Sequence, residues 1–349
     1  MIRLNLALQG GGAHGAFTWG VLDVLLQDPD IEIAAISGTS AGALNGAALK
    51  AGFLQGGAEA ARENLDWLWT KMGATKAPGF ADWMGAFGPA FLARALEHSM
   101  PFMMADWASR LMSPYAYGPF FSHPLKPIAD EFHYDSVCAA QGPKLFVCAT
   151  NVRTGKARVF QGADINTDVI LASACLPTLF QAVEIKDTRT GQTDAYWDGG
   201  FTSNPALWPL YDKDLPEDLL IVNINPLERQ ELPRTPQQIQ SRMNEISFNA
   251  SLMGELRAIA FVQRMLKDGA VAPGSMKDVK VHMVADDALM NELNAVTKMV
   301  PVPQILAALK SAGQRAARDF LAKHKADLGQ KSTVDLAALY GSHHGSQPR

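Results

Sequence analysis

Gly38-Thr39-Ser40-Ala41-Gly42 is a G-x-S-x-G pentapeptide. Its two glycines, Gly38 and Gly42, permit a cramped strand-to-helix turn that pushes a serine hydroxyl outward as a nucleophile. The apolar run Ile31–Ser37 precedes it, and a helical stretch from about Ala41 to Ala51 follows. The first N–H groups of that helix favour negative charge developing at Ser40. A glycine-flanked turn with an N-capping serine gives the same five letters. The strand before and the helix after favour the nucleophile.

Gly10-Gly11-Gly12-Ala13-His14-Gly15 follows another short apolar run and opens a second helix. This also matches the G-x-G-x-x-G of dinucleotide sites, which require an acidic side chain at the end of the second strand. Here the nearby acids Asp28, Asp30 and Glu32 lie before or at the start of that strand, the wrong end. The alternative is an oxyanion hole, in which Gly10, Gly11, Gly12, Ala13 and Gly15 turn backbone N–H groups toward a tetrahedral intermediate. Consecutive parallel strands are commonly neighbours, which brings both loops to one sheet edge.

A serine nucleophile needs a base. The histidines are 14, 98, 123, 133, 282, 324, 343 and 344, and none after Ser40 falls in a strand-end loop. His282 reads as mid-strand and His324 as part of a polar helix, so both are expected to be structural. Asp198-Gly199-Gly200 directly follows a strand, with glycines that allow close backbone approach. An Asp-Gly turn is commonplace, but with an activated serine and no histidine a Ser40–Asp198 dyad is the better reading. Aspartate is a weak base in water, so Asp198 must sit in a desolvated place that raises its pKa.

The elements that position these residues follow from periodicity. Strands are expected at Arg3–Gln9, Ile31–Ser37, Lys144–Asn151, Ala157–Phe160, Val183–Ile185, Ala195–Trp197, Leu219–Asn225 and Val279–Val284. Phe17, Val21, Val24 and Leu25 mark the first helix, and Phe248, Leu252, Leu256, Ile259, Val262 and Leu266 a long amphipathic one. A short helix is expected at Asp168–Cys175 and a final helix at 302–326. Residues 80–121 hold ten of the 29 aromatics and five of the 14 methionines with only five charges. They are either an inserted helical core layer or an apolar cover for a lipid-like ligand, since Met and aromatic side chains adapt to irregular apolar shapes. In the second case Trp83, Phe87 and Phe91 contact an acyl chain, each buried methylene contributing about 0.8 kcal/mol.

Composition bounds the rest. The chain has 349 residues, 48% apolar and 19% charged, with a net charge of −4. That excludes disorder over most of its length and does not suggest a nucleic-acid binder or a polybasic membrane anchor. One α/β domain over 1–330 with an insertion at 80–121 is expected, and a flexible tail over 331–349. Cys138, Cys148 and Cys175 show no CxxC spacing, which fits reduced thiols rather than a disulfide or zinc framework. The Leu4–Leu8 run is too short for a signal peptide, and nowhere do about 18 uncharged apolar residues run together. A cytoplasmic, soluble protein is expected.

Three motifs in order, Leu8–Gly15, Gly38–Gly42 and Asp198-Gly199-Gly200, give the sequence a resemblance to the bacterial patatin-like phospholipases. The stretches Ser173-Ala174-Cys175-Leu176-Pro177 and Phe248-Asn249-Ala250-Ser251-Leu252 are similar to bacterial members as well, over roughly residues 3–285. The resemblance implies a three-layer α/β/α fold with a mostly parallel central sheet, and acyl-ester hydrolysis by a Ser–Asp dyad without metal or cofactor. It implies Ser40 as nucleophile, Asp198 as general base and Gly10–Gly15 as oxyanion loop. A lipid or ester is then the expected partner, met in transient contact with a membrane surface. A carboxylesterase or polyester depolymerase and a nucleotide- or anion-binding regulator are the alternatives, and oligomeric state is not readable. His14 departs from the pattern, because many members carry Arg or Lys there. A histidine is charged only below about pH 6.5, so His14 is expected to tune activity and His14→Arg to preserve it.

Overall fold

The computed structural model describes residues 1–74, 99, 113–187, 190–229, 232–272 and 274–341. Its strands are β1 (Ile2–Leu8), β2 (Ile31–Thr39), β3 (Lys144–Asn151), β4 (Ala157–Gln161), β5 (Val183–Lys186), β6 (Thr193–Asp198), β7 (Asp218–Val222) and β8 (Lys280–Val284). They form one sheet in the order β5-β6-β3-β2-β1-β7-β8, with β4 paired to β3 outside that path. The centre, β3-β2-β1-β7-β8, is parallel, whereas β4, β5 and β6 pair antiparallel. Every residue of β7 is buried, as expected of an apolar strand covered on both faces.

Side chains alternate across the sheet, which separates two cores. On one face Leu4, Leu6, Leu8 and Ile36 pack beneath α1 (Gly15–Leu25) and α2 (Ala41–Ala74). On the other, Ala7, Ala35, Leu219 and Ile221 meet Leu252, Leu256 and Ile259 of a long helix, Pro236–Lys267. This is a three-layer α/β/α fold. Between β4 and β5 lies the short helix α3 (Thr167–Ser173). The long helix is α4, followed by α5 (Ala295–Met299), α6 (Pro303–His324) and α7 (Leu336–Gly341).

Register brings the motifs together. Leu8 of β1 pairs with Gly38 of β2, and Thr39 of β2 with Cys148 of β3. Ala149, the next residue of β3, pairs with Asp198 at the end of the antiparallel β6. The glycine loop, Ser40 and Asp198 therefore leave one edge of the sheet from neighbouring strands.

Three expectations meet different outcomes. The second helix does not stop near Ala51; the chain breaks at Gly56-Gly57, where Gly57 has φ 73°, and continues helical to Ala74. Its second half has its own apolar face, with Leu65, Leu68 and Trp69 buried. Part of the expected tail also packs. Ser332 Oγ accepts from Val281 N at 3.1 Å, Thr333 N donates to Val281 O at 3.0 Å, and Leu336 joins the second core. Residues 342–349 lie outside the described ones, as does most of the aromatic stretch, including Trp83, Phe87 and Phe91. Of that stretch, Pro114–Phe120 forms a 3-10 segment whose Tyr115 hydroxyl accepts from Ala182 N at 3.1 Å. Among the described residues no helix is long and apolar enough to cross a membrane.

Candidate active site

Ser40 stands between the last residue of β2 and the first of α2, at φ 55°. Among the described residues it is the one non-glycine with positive φ, a conformation that costs an L-residue roughly 1–2 kcal/mol. Contacts on both sides hold it there. Its carbonyl accepts from Ala43 N at 2.9 Å and Leu44 N at 3.1 Å, starting the helix. Its N–H donates to Ser173 Oγ at 2.9 Å, and that hydroxyl donates to Cys148 O at 2.7 Å. Gly42 is required by proximity, since a Cβ there would lie 2.0 Å from Leu8 O, and a Cβ on Gly38 would lie 2.5 Å from the Gly42 carbonyl oxygen.

Asp198 is fully buried at the end of β6. Its N–H donates to Cys175 O at 2.8 Å and its carbonyl accepts from Thr150 Oγ1 at 2.8 Å, so the backbone is fixed. One carboxylate oxygen accepts from Gly200 N at 2.7 Å, and the nearby Ser40 hydroxyl also favours the anion. Gly199 lies against Cys148 O, on the strand that separates β6 from β2. Burial pushes the Asp198 carboxyl up to about 7, outweighing the two groups that favour the anion.

The glycine loop abuts the serine: a Cβ on Gly10 would sit 2.6 Å from Ser40 Cβ. Gly10 and Gly15 are nevertheless not available as oxyanion donors, contrary to expectation. Gly10 N donates to Asn204 Oδ1 at 2.6 Å, and the Gly15 N–H returns to the carbonyls of Gly12 and Ala13. The N–H groups of Gly11, Gly12 and Ala13 have no acceptor among the described residues. Gly12 has φ 59°, a left-handed conformation natural to glycine.

His14 does not reach this site. It is buried, and its Nε2 lies 2.8 Å from Thr297 Oγ1, whose own proton goes to Asn294 O at 2.7 Å. Nε2 therefore carries the ring proton. Burial, and then the nearby Lys298, hold His14 well below its usual pKa, so it stays neutral. Burial and the neighbouring Lys298 argue against the expected tuning of activity by a charge on His14, and His14→Arg would bury a second cation beside Lys298. His14→Gln, which can still donate to Thr297, should leave the pH dependence of kcat/KM on a p-nitrophenyl ester unchanged between about pH 5 and 8. Loss of a titration in that range would contradict the neutral assignment.

The family model described as Patatin-like phospholipase matches residues 6–211, more than half of the chain. The chain belongs to the patatin-like phospholipase family. As a patatin-like phospholipase it falls among hydrolases that act on lipid esters. Similar solved structures include VipD from Legionella pneumophila, at 16% identity and a TM-score of 0.43, covering 93% of this chain and 67% of that one. The ExoU–SpcU complex from Pseudomonas aeruginosa is another, at 15% identity and a TM-score of 0.34, covering 93% of this chain and 51% of that one. A comparison with curated proteins finds no match.

Three polar residues of this patatin-like site escape the motif reading. Ser173, which anchors the Ser40 N–H, stands in the Ser173–Pro177 stretch noted for its resemblance. Asn204 and Asn225 both donate to Gly10 O, at 3.2 and 2.8 Å. Nothing local distinguishes either asparagine, since the partner lies 194 or 215 residues away.

Proposed function

We propose that the protein is a serine acyl hydrolase of phospholipids or lysophospholipids, with Ser40 as nucleophile and Asp198 as the sole general base. The observation that carries this reading is a buried carboxylate, raised to about 7 by burial, that stands on the same sheet edge as Ser40 and feels its hydroxyl. A base poised near the working pH transfers protons efficiently. Of the other described histidines, His282 pairs with Asp218 at 2.9 Å, His324 with Asp327 at 3.0 Å, His123 packs against the Phe180 ring, and His133 is exposed at the N-terminus of the short helix Tyr134–Val137.

In this reading Ser40 Oγ attacks the acyl carbonyl while its proton passes to Asp198. The N–H groups of Gly11, Gly12 and Ala13 receive the developing oxyanion, and the first turn of α2 adds its dipole. Collapse breaks the ester bond, and the leaving alcohol takes the proton from Asp198. A water then gives a proton to Asp198 and attacks the acyl-serine carbonyl. Fatty acid leaves as Ser40 regains its proton. No other group is needed to balance either half. Three unpaired thiols fit a reducing compartment such as the cytoplasm, and the substrate is met at a membrane surface.

The test is fatty-acid release from phosphatidylcholine vesicles and lysophosphatidylcholine, beside p-nitrophenyl esters from acetate to palmitate. Release from the lipids, with preference rising along the ester series, is expected. Turnover of short esters alone would make the protein a carboxylesterase. No turnover of any ester would favour an anion-binding regulator.

A further inference from the structure

Gly10 O accepts from two asparagine amides, Asn204 and Asn225. In a trans peptide the carbonyl and the following N–H point in opposite directions. Holding Gly10 O on the asparagine side therefore aims the Gly11 N–H to the other side, where it has no acceptor among the described residues. Asn225 can do this only with its NH2 end toward Gly10. Lys298 Nζ donates to its Oδ1 at 3.1 Å, which favours that orientation over the flipped one, and Gln9 Oε1 accepts from Nδ2 on the far side.

Lys298 is itself held. Its ammonium lies 3.1 Å from Glu245 Oε1, and the buried Glu245 carboxylate is forked by Arg229 at 2.7 and 3.1 Å. Such a bidentate pair fixes geometry as well as charge. The element carrying Lys298, α5, also touches the loop directly. Thr297 meets His14 Nε2, and the Lys298 carbonyl would lie 2.2 Å from a Cβ on Gly12. Asn225, Glu245 and Lys298 all lie beyond the stretch matched by the family model.

We propose that Lys298 is a positioning residue for the oxyanion loop, acting through Asn225 to hold the Gly10–Gly11 peptide with its N–H free for the substrate. This rests on the reading of Ser40 as nucleophile. A small misplacement of an oxyanion donor is felt in the transition state and scarcely in ground-state binding.

The experiment compares Lys298→Met, Lys298→Arg, Asn225→Ala and the Lys298→Met/Asn225→Ala pair with wild type, on the best ester found. Each is also titrated with a trifluoromethyl ketone analogue, whose adduct with Ser40 carries an oxyanion, and with the matching ether, which forms none. Lys298→Met should lower kcat by roughly 10- to 100-fold with KM nearly unchanged. Ketone affinity should fall by the same factor while ether affinity holds. Lys298→Arg should restore most of the loss. Asn225→Ala should lose as much, and the pair little more, because the two act in series. Wild-type kcat in Lys298→Met, fully multiplicative losses in the pair, or equal weakening of ketone and ether would overturn the proposal. Should Lys298→Met not fold, wild-type kcat in Asn225→Ala overturns it equally. A wild type that no fluorophosphonate labels at Ser40 instead refutes the hydrolase reading beneath it.

Discussion

Ser40→Ala and Asp198→Asn should each lower ester turnover by roughly 10⁴-fold or more, and the double variant should fall little further. In the proposed mechanism the two side chains pass one proton between them, so removing either disables the same step. Their surroundings leave no substitute, since Asp198 is buried and its second partner, Gly200 N, can only donate. The variants should keep the fold, because the Ser40 N–H to Ser173 and the Asp198 N–H to Cys175 O are made by backbone groups. The check is kcat beside circular dichroism. Near-normal turnover in Asp198→Asn, with loss in a His282 or His324 variant, would show that a histidine is the base.

Asp198→Asn should also make the protein more stable, by an amount that depends on pH. The folded-state carboxyl is raised to about 7 by burial, against 3.8 for the unfolded chain. A group raised in the folded state contributes stability below the unfolded value and loses it as pH rises through the folded one. The ionised carboxylate therefore costs nothing near pH 4, progressively more toward pH 7, and a constant amount above. Three pK units correspond to about 4 kcal/mol at most. Asparagine is never charged and keeps an oxygen for Gly200 N, so it escapes this penalty. Calorimetry should find equal Tm values near pH 4 and a clearly higher Tm for the variant near pH 8. A Tm difference that does not change with pH would mean that the carboxyl is not raised. The site thus trades stability for a base poised near neutrality.

Much of this architecture is legible in the sequence because it is written in local patterns. The β3 strand, Lys144–Asn151, is a plain apolar run read to its end residues, and the Gly38–Gly42 and Asp198–Gly200 motifs lie at strand ends because their spacing says so. What escapes depends on contacts that no local pattern carries. Whether the Gly10 N–H is free is decided by Asn204, and the charge of His14 by burial against Thr297 and Lys298. The run past Ala51 continues because Gly56-Gly57 redirect the chain onto a second apolar face, centred on Leu65, Leu68 and Trp69. Glycines that read as a stop are a bend. The segment at 331–341 reads as part of a terminal tail, yet Leu336 reaches the core beside α4, with Val334 and Leu339 packed against it.

The central claim is that Asp198 alone activates Ser40. The rate of inactivation by a fluorophosphonate, followed against pH with the adduct mapped by peptide mass, tests it most directly. The label should fall on Ser40, with a rate that rises with pH to half its plateau near about 7, where Asp198 ionises. In Asp198→Asn the rate should drop by orders of magnitude and lose that rise. A label on another residue, or an Asp198→Asn rate that still follows the wild-type curve, would contradict the account.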